Sequence, residues 1–134
     1  CVYMLYTGFG VILGHNFPFY LKFKGGKGIA ATAGIIFSLD WRLTAICLLA
    51  FIVIVAVTRY VSLGSLVVST ILLVWNVIMG GKGAYGLSGA AFPEFTALTA
   101  VICAMAFWRH RANIVRLMHG TENKIGTKKK KEEQ

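Results

Sequence analysis

Three apolar runs decide what this chain can fold into. Leu43 to Thr58 (LTAICLLAFIVIVAVT) and Val61 to Met79 (VSLGSLVVSTILLVWNVIM) carry no charge, and Pro93 to Trp108 carries only Glu94, in its first turn. A helix rises about 1.5 Å per residue, so runs of this length reach roughly 24–29 Å, close to the ~30 Å hydrocarbon core of a bilayer. Hydrophobic residues make up 57% of the chain and charged ones 14%, a balance outside that of ordinary soluble domains. The reading is an all-α integral membrane protein, a polytopic bundle of transmembrane helices, with Trp41, Tyr60 and Trp108 as interfacial anchors. Gly28 to Leu39 is apolar too, but about 18 Å long as a helix, short for a crossing. Local thinning of the bilayer or embedding in protein would accommodate it. Its small residues Gly28, Ala30, Ala31, Ala33 and Gly34 predict close approach of neighbouring helices.

Charge placement orients the bundle. If the chain turns back between Lys27 and Trp41, twelve cations fall on one side: Lys22, Lys24, Lys27, Arg59, Arg109, Arg111, Arg116, Lys124 and Lys128 to Lys131. The other side keeps Asp40, Arg42, Lys82 and Glu94, which cancel. The positive-inside rule makes the cation-rich side cytoplasmic. Residues 1–126 read as the membrane-embedded domain and 127–134 as a charged, disordered cytoplasmic tail with some attraction to anionic lipid. No motif supports nucleic-acid binding. The chain opens on Cys1 and an apolar run that lacks the basic leader and cleavage site of a signal peptide, which reads as a fragment without its N-terminal part. Cys1, Cys47 and Cys103 stand alone, with no zinc spacing, and read as small buried or lipid-facing residues. Neither a metal nor a cofactor is expected.

Polar residues gather in three short segments. The first is Gly14 to Thr32 (GHNFPFYLKFKGGKGIAAT). Pro18 biases Phe17 away from helix, so the first apolar run ends here. Lys24-Gly25-Gly26-Lys27-Gly28 then precedes the next apolar helix. Unobstructed backbone N–H groups at a helix N-terminus, bracketed by two lysines, suit a phosphate. The alternative is a plain turn with snorkelling lysines. It is not a P-loop, because Gly28 stands where Ser or Thr is required. His15 either contacts an anion or caps the preceding helix. A second GGKG, Gly80 to Gly83, lacks the His-x-Phe-Pro lead-in and reads as a chance recurrence in a loop on the opposite side. The second segment is Arg109 to Leu117 (RHRANIVRL), where His110 and Asn113 share a helix face and His110 titrates near neutrality. Read alone, it is a juxtamembrane basic helix. The third is Arg59 to Ser65 (RYVSLGS), where Ser62 and Ser65 share a face at a helix start, a position usual for caps. The inferred topology brings all three to one membrane face. A ligand with a phosphate head and an acyl tail would fit there.

GHNFPFYLKFKGGKGIAAT, RYVSLGS and RHRANIVRLMHGTENKIG, in that order, resemble the bacterial acyl-phosphate-dependent glycerol-3-phosphate acyltransferases, the PlsY family. The resemblance runs from Gly14 to Gly126. It implies an inner-membrane enzyme with seven helices, of which this chain holds a part. It also implies transfer of a fatty acyl group from acyl phosphate to the 1-hydroxyl of glycerol 3-phosphate on the cytoplasmic side, giving lysophosphatidic acid and phosphate. By motif, Gly25, Gly26, Lys27 and Gly28 correspond to a phosphate-binding loop, with His15 and Lys24 nearby. His110 and Asn113 correspond to active-site polar residues, Ser65 or Ser62 to the motif serine with Ser65 favoured, and Arg59 belongs to the same motif. Glu122 takes the acidic position, in a structural role. The family's further motif with a serine, an asparagine and an arginine is absent from this sequence. The Gly80 to Phe92 loop reads as longer than usual.

Acyl phosphate is already activated, so no covalent nucleophile is required. The fifth residues after His15, His110 and His119 are Tyr20, Val115 and Lys124, so the His-x-x-x-x-Asp acyltransferase arrangement is missing. Direct attack by the glycerol hydroxyl follows. Lys27 and the loop N–H groups would stabilise the departing phosphate. His110 or a substrate phosphate oxygen would serve as base, and Arg116 would hold glycerol 3-phosphate. The partners expected are the two substrates and membrane lipid, with the protein a monomer. The competing class, a transporter or channel for an anionic metabolite, needs ionisable residues deep in the spans. The spans offer scattered Ser, Thr and Asn76. A non-catalytic scaffold would not need three polar motifs on one face.

Overall fold

The computed structural model describes residues 1–18, 22 and 25–126. These form six helices: α1 (Val2–Asn16), α2 (Ile29–Leu39), α3 (Trp41–Thr58), α4 (Val61–Gly81), α5 (Ala91–Arg109) and α6 (Arg111–Met118). The described residues contain no strand. The helices α3, α4 and α5 are each long and apolar enough to cross a membrane, and α2 is a shorter apolar helix. The first five close a ring in which α1 packs on α2, α2 on α3, α3 on α4, α4 on α5, and α5 back on α1.

Local chemistry sets the boundaries. The first helix stops at Asn16, just before Phe17-Pro18, as the proline requires. Asp40 caps α3 by accepting the Arg42 N–H at 2.8 Å, and its carboxylate also takes the Arg42 guanidinium at 3.2 and 3.1 Å. Arg59 turns α3 into α4 with a left-handed φ of 63°. Pro93 falls in the first turn of α5, where a missing N–H leaves no helical bond unmade.

The core has two parts. Leu5 and Ile12 of α1 meet Ile35 of α2 and Phe95, Leu98 and Ile102 of α5. Ile36, Leu43, Cys47, Leu72 and Cys103 form the other cluster, between α2, α3, α4 and α5. Cys47 and Cys103 are thus buried, as expected, while Cys1 is exposed. On α3 only Leu43 and Cys47 are buried; Phe51 and Val55 pack on Gly64 of α4, while Ile46, Leu49, Ile52, Val53 and Val57 are exposed, as a lipid-facing helix permits. Asn76, deep in α4, donates to Thr99 at 3.2 Å and accepts from Tyr85 at 3.2 Å, so its amide is spent on packing.

Three expectations need correction. The close helix approach is made by Gly8 of α1, where a Cβ would overlap the Ile35 side chain, whereas Gly34 faces open space. Ala30 and Ala33 are likewise exposed, whereas Gly28 meets Ile12 and Asn16 of α1 and Ala31 packs on the core, as expected. Small residues permit contact but do not choose the face that makes it. Second, the serine pair is not a cap. Tyr60 holds that position with no side-chain bond, and Ser65 Oγ donates back to the Val61 carbonyl at 3.0 Å inside the helix. Third, Gly80 and Gly81 belong to the last turn of α4, so the connection to α5 is residues 82–90, shorter than the sequence suggested. Gly80 is packed under the Phe92 ring, where a Cβ would come within 2.8 Å. That packing accounts for a glycine there without any phosphate chemistry.

Candidate functional site

The ring brings the three polar segments to one end. Near the starts of α1 and α5, Tyr6 donates to Glu94 at 2.5 Å, and at their ends Phe17 lies against Trp108 with ring centroids 6.1 Å apart, so these helices run parallel. Both therefore finish at the end where α3 turns into α4. There a cavity of about 600 Å³ opens, its polar lining His15, Lys27, Ser62, Ser65, His110, Asn113, Arg116 and Glu122, with Ile29, Ala30, Phe51, Val61 and residues 123–125 completing the wall. Gly25, Gly26 and Gly28 form the loop beside it. Arg59 does not line it. Lys24 and residues 127–134 lie outside the described residues.

A chain of polar contacts crosses the cavity. Lys27 Nζ donates to Asn113 Oδ1 at 2.5 Å, Asn113 Nδ2 donates to Glu122 Oε1 at 2.8 Å, and Arg116 Nε donates to Glu122 Oε2 at 2.9 Å. Asn113 is thereby oriented: a cation on its oxygen, a carboxylate on its nitrogen. Burial pushes the Glu122 carboxyl up, but the bonds from Asn113 and Arg116 and the Arg116 charge outweigh it and hold the group below its ordinary range. Burial, with the charges of Arg116 and Arg109, pushes the Lys27 ammonium down, and Glu122 opposes them. The Ser62 hydroxyl also faces Glu122, but it completes no hydrogen bond of good geometry among the described residues.

His110 sits at the break between α5 and α6, and not on one continuous helix with Asn113. It is fully buried apart from 1% of its surface. Its Nδ1 lies 2.8 Å from the Ala106 carbonyl, which can only accept, so Nδ1 carries the proton and Nε2 keeps its lone pair. Burial lowers its pKa below the ordinary value, Lys27 adds to this, and the Ala106 carbonyl opposes it. The site thus holds a neutral imidazole beside cations.

At the loop, Gly28 caps α2 with φ +74°, a conformation that disfavours any side chain. Beneath it lies Asn16, fully buried, with neither amide atom partnered among the described residues. Arg59, which its motif groups with the substrate- and phosphate-binding residues, is turned away from the cavity and onto residue 125. It donates to the Ile125 carbonyl, and its own carbonyl accepts the Ile125 N–H at 3.0 Å. Residues 121–126 are strapped across the α3–α4 turn in this way, with Lys124 5.5 Å over the Tyr60 ring.

Sequence reasoning missed three features. Phe51 is one apolar residue in a long apolar run and carried no signal. The strap has no hydrophobic pattern. Arg109 was visible within its motif, but its partners, the Gly25 and Gly26 carbonyls, are backbone atoms that no residue pattern marks.

The family model for glycerol-3-phosphate acyltransferase matches residues 1–120. The chain belongs to the glycerol-3-phosphate acyltransferase family. It is 37% identical over 126 residues to the glycerol-3-phosphate acyltransferase of Paramagnetospirillum magneticum, covering 94% of this chain and 57% of that one. Against glycerol-3-phosphate acyltransferase 2 of Thermotoga maritima it is 41% identical over 119 residues, covering 89% and 55%. It also superposes on the crystal structure of PlsY, an integral membrane glycerol 3-phosphate acyltransferase, in the glycerol 3-phosphate form, with a TM-score of 0.78 and 31% identity over 92% of this chain and 56% of that one. The lysophosphatidic acid form of PlsY gives 0.73. The chain spans just over half the length of these glycerol-3-phosphate acyltransferases. Like PlsY it is an all-helical, multi-pass membrane protein.

Proposed function

We propose that this chain carries the phosphate-handling end of an enzyme that moves a fatty acyl group from acyl phosphate to the 1-hydroxyl of glycerol 3-phosphate. The products are lysophosphatidic acid and inorganic phosphate. The work is done at the cytoplasmic face of a bacterial inner membrane, where the cation-rich end of the bundle would lie by the positive-inside rule.

One observation carries this reading: the polar cavity adjoins an apolar cleft. The cleft, about 220 Å³, lies between α2, α3 and α4 and shares Ile29, Phe51 and Ser65 with the cavity. Its deeper lining includes Ile36, Cys47 and Val68. A cationic mouth above an apolar slot matches a phosphate joined to an acyl chain. The transporter alternative gains nothing from the spans, since Asn76 is consumed by Thr99 and Tyr85.

In this mechanism the glycerol hydroxyl oxygen attacks the acyl carbonyl carbon and forms the new ester bond. The bond from that carbon to the phosphate oxygen breaks, and phosphate leaves with the bonding pair. The hydroxyl proton passes to His110 Nε2 or to a phosphate oxygen of the substrate. Lys27 and the loop N–H groups other than that of Gly26, which goes to the His15 carbonyl, offset charge on the departing phosphate. Arg116, held on Glu122 through Nε, keeps its remaining donors for glycerol 3-phosphate. The test is reconstitution of the full-length protein with glycerol 3-phosphate and either acyl phosphate or acyl-CoA. Phosphate release in step with lysophosphatidate, from acyl phosphate alone and abolished by Lys27→Ala, supports the reading. Transfer from acyl-CoA alone overturns the donor assignment, and transfer from neither donor overturns the enzyme.

A further inference from the structure

Arg109 ends α5 and His110 follows it, yet the two face different ways. His110 lines the cavity and Arg109 does not. The Arg109 guanidinium reaches the back of the glycine loop instead. Nη2 donates to the Gly25 carbonyl at 2.9 Å and to the Gly26 carbonyl at 2.7 Å, and Nε donates to Gly26 at 3.1 Å. The same group lies 5.5 Å over the Phe17 ring and 5.9 Å from that of Trp108. A planar fork can hold two carbonyls and stack on rings at once, whereas an ammonium is a point charge without that geometry.

In a planar trans peptide the N–H points opposite to the C=O. Fixing the Gly25 and Gly26 carbonyls on Arg109 therefore turns the N–H groups of Gly26 and Lys27 the other way. The Gly26 N–H goes to the His15 carbonyl at 3.2 Å. On the side facing the end of α1 the loop is tightly packed. A Cβ on Gly25 would stand 2.6 Å from the Asn16 backbone, and one on Gly26 would overlap the His15 ring. Lys27 follows directly, so the clamp sets both its backbone N–H and the root of its side chain.

We infer that Arg109 is a positioning residue: through the Gly25 and Gly26 carbonyls it holds the loop in the one orientation that presents Lys27 to a phosphate group, without touching that phosphate. The inference rests on the acyltransferase reading. Because His110 is the next residue, the clamp also fixes the distance between the His110 ring and the loop.

Arg109→Gln and Arg109→Lys, made in the full-length protein, test this. Arg111→Gln is the control, since Arg111 bonds the Trp108 carbonyl and stacks on Trp108 away from the cavity. Both Arg109 variants should raise KM for acyl phosphate about tenfold while leaving KM for glycerol 3-phosphate unchanged. Inorganic phosphate, titrated calorimetrically in detergent, should bind more weakly by the same factor, and that readout needs no turnover. It therefore decides the clamp even if acyl phosphate proves not to be the donor. A rise confined to glycerol 3-phosphate seats that substrate on the loop and still supports the clamp. If Arg109→Lys matches the wild type, charge alone suffices and the clamp is overturned. If phosphate affinity holds while both substrates and the melting temperature suffer together, Arg109 is only structural and the inference fails. Should the Arg109 variants not fold, Phe17→Leu removes the stacked ring and keeps the carbonyl bonds. A smaller loss of phosphate affinity is then expected, and no loss overturns the inference.

Discussion

Lys27 Nζ donates to Asn113 Oδ1 at 2.5 Å, joining residues 86 positions apart in the sequence. This contact ties the glycine loop to α6, and through Asn113 Nδ2 to the buried Glu122. Asn113 is the hinge of a cation–amide–carboxylate chain. Asn113→Ala should lower kcat/KM for acyl transfer about a hundredfold, the scale of losing a preorganised polar group at a reacting centre. Steady-state kinetics on reconstituted protein measure it. Activity within threefold of wild type would remove Asn113 from the machinery.

The His110 environment sets an acid limit. Burial and Lys27 lower its pKa below the ordinary 6.5, so at neutral pH the ring is uncharged and Nε2 can accept a proton. Lowering the pH through that depressed value protonates Nε2, which removes the base where the proposed mechanism runs through His110. The acid limb of kcat/KM should therefore lie below 6.5. In His110→Gln kcat should fall by about two orders of magnitude and the limb should vanish. An unchanged kcat with a raised KM would assign His110 to binding and leave a substrate phosphate oxygen as the base.

Glu122→Gln tests a structural role. The Arg116 side chain is 39% exposed and that of Glu122 5%, so solvent screens the pair on one side only. Loss of the charge should cost about 1–2 kcal/mol of stability. The sign in pH follows from the depressed Glu122 pKa. Its contribution is fully present above the ordinary carboxylate range and is lost as pH falls through the lowered value. Thermal unfolding in detergent against pH should show this slope in the wild type and a flatter one in Glu122→Gln.

The cleft predicts acyl-chain preference. Gly64 of α4 packs against Phe51, and a Cβ there would stand 2.9 Å from the ring. Gly64→Ala must displace Phe51, which lines both cavity and cleft. The preference among acyl phosphates of increasing length should shift toward shorter chains. A uniform loss across all lengths would mean that the chain lies elsewhere.

Much of this was legible in the residues themselves. Long charge-free runs have one stable solution in lipid, so α3, α4 and α5 could be placed to within a few residues, and Pro18 ended α1. The polar residues of the cavity wall were partly legible as well: their polarity stands out against an apolar background, but Glu122 and the roles of the serines came from the family resemblance rather than from the residues alone. Side-chain direction was not. Gly8 rather than Gly34 makes the close approach, and Arg59 faces the strap rather than the cavity, because helix rotation and turn geometry are decided by packing partners distant in sequence. Arg109 gripping carbonyls was hidden for the same reason, since its partners have no side chains at all.

The strap carries a consequence for how the protein is made. Ile125 donates its backbone N–H to the Arg59 carbonyl and accepts the Arg59 guanidinium on its own carbonyl, and Glu122 helps to wall the cavity that His15 also lines. The helices can enter the bilayer one after another as the ribosome delivers them. The wall cannot close until residue 125 has left the exit tunnel. On the proposed function, a nascent chain halted anywhere earlier would be seated in the membrane yet silent, so that lysophosphatidate is made only by chains whose synthesis has passed that point.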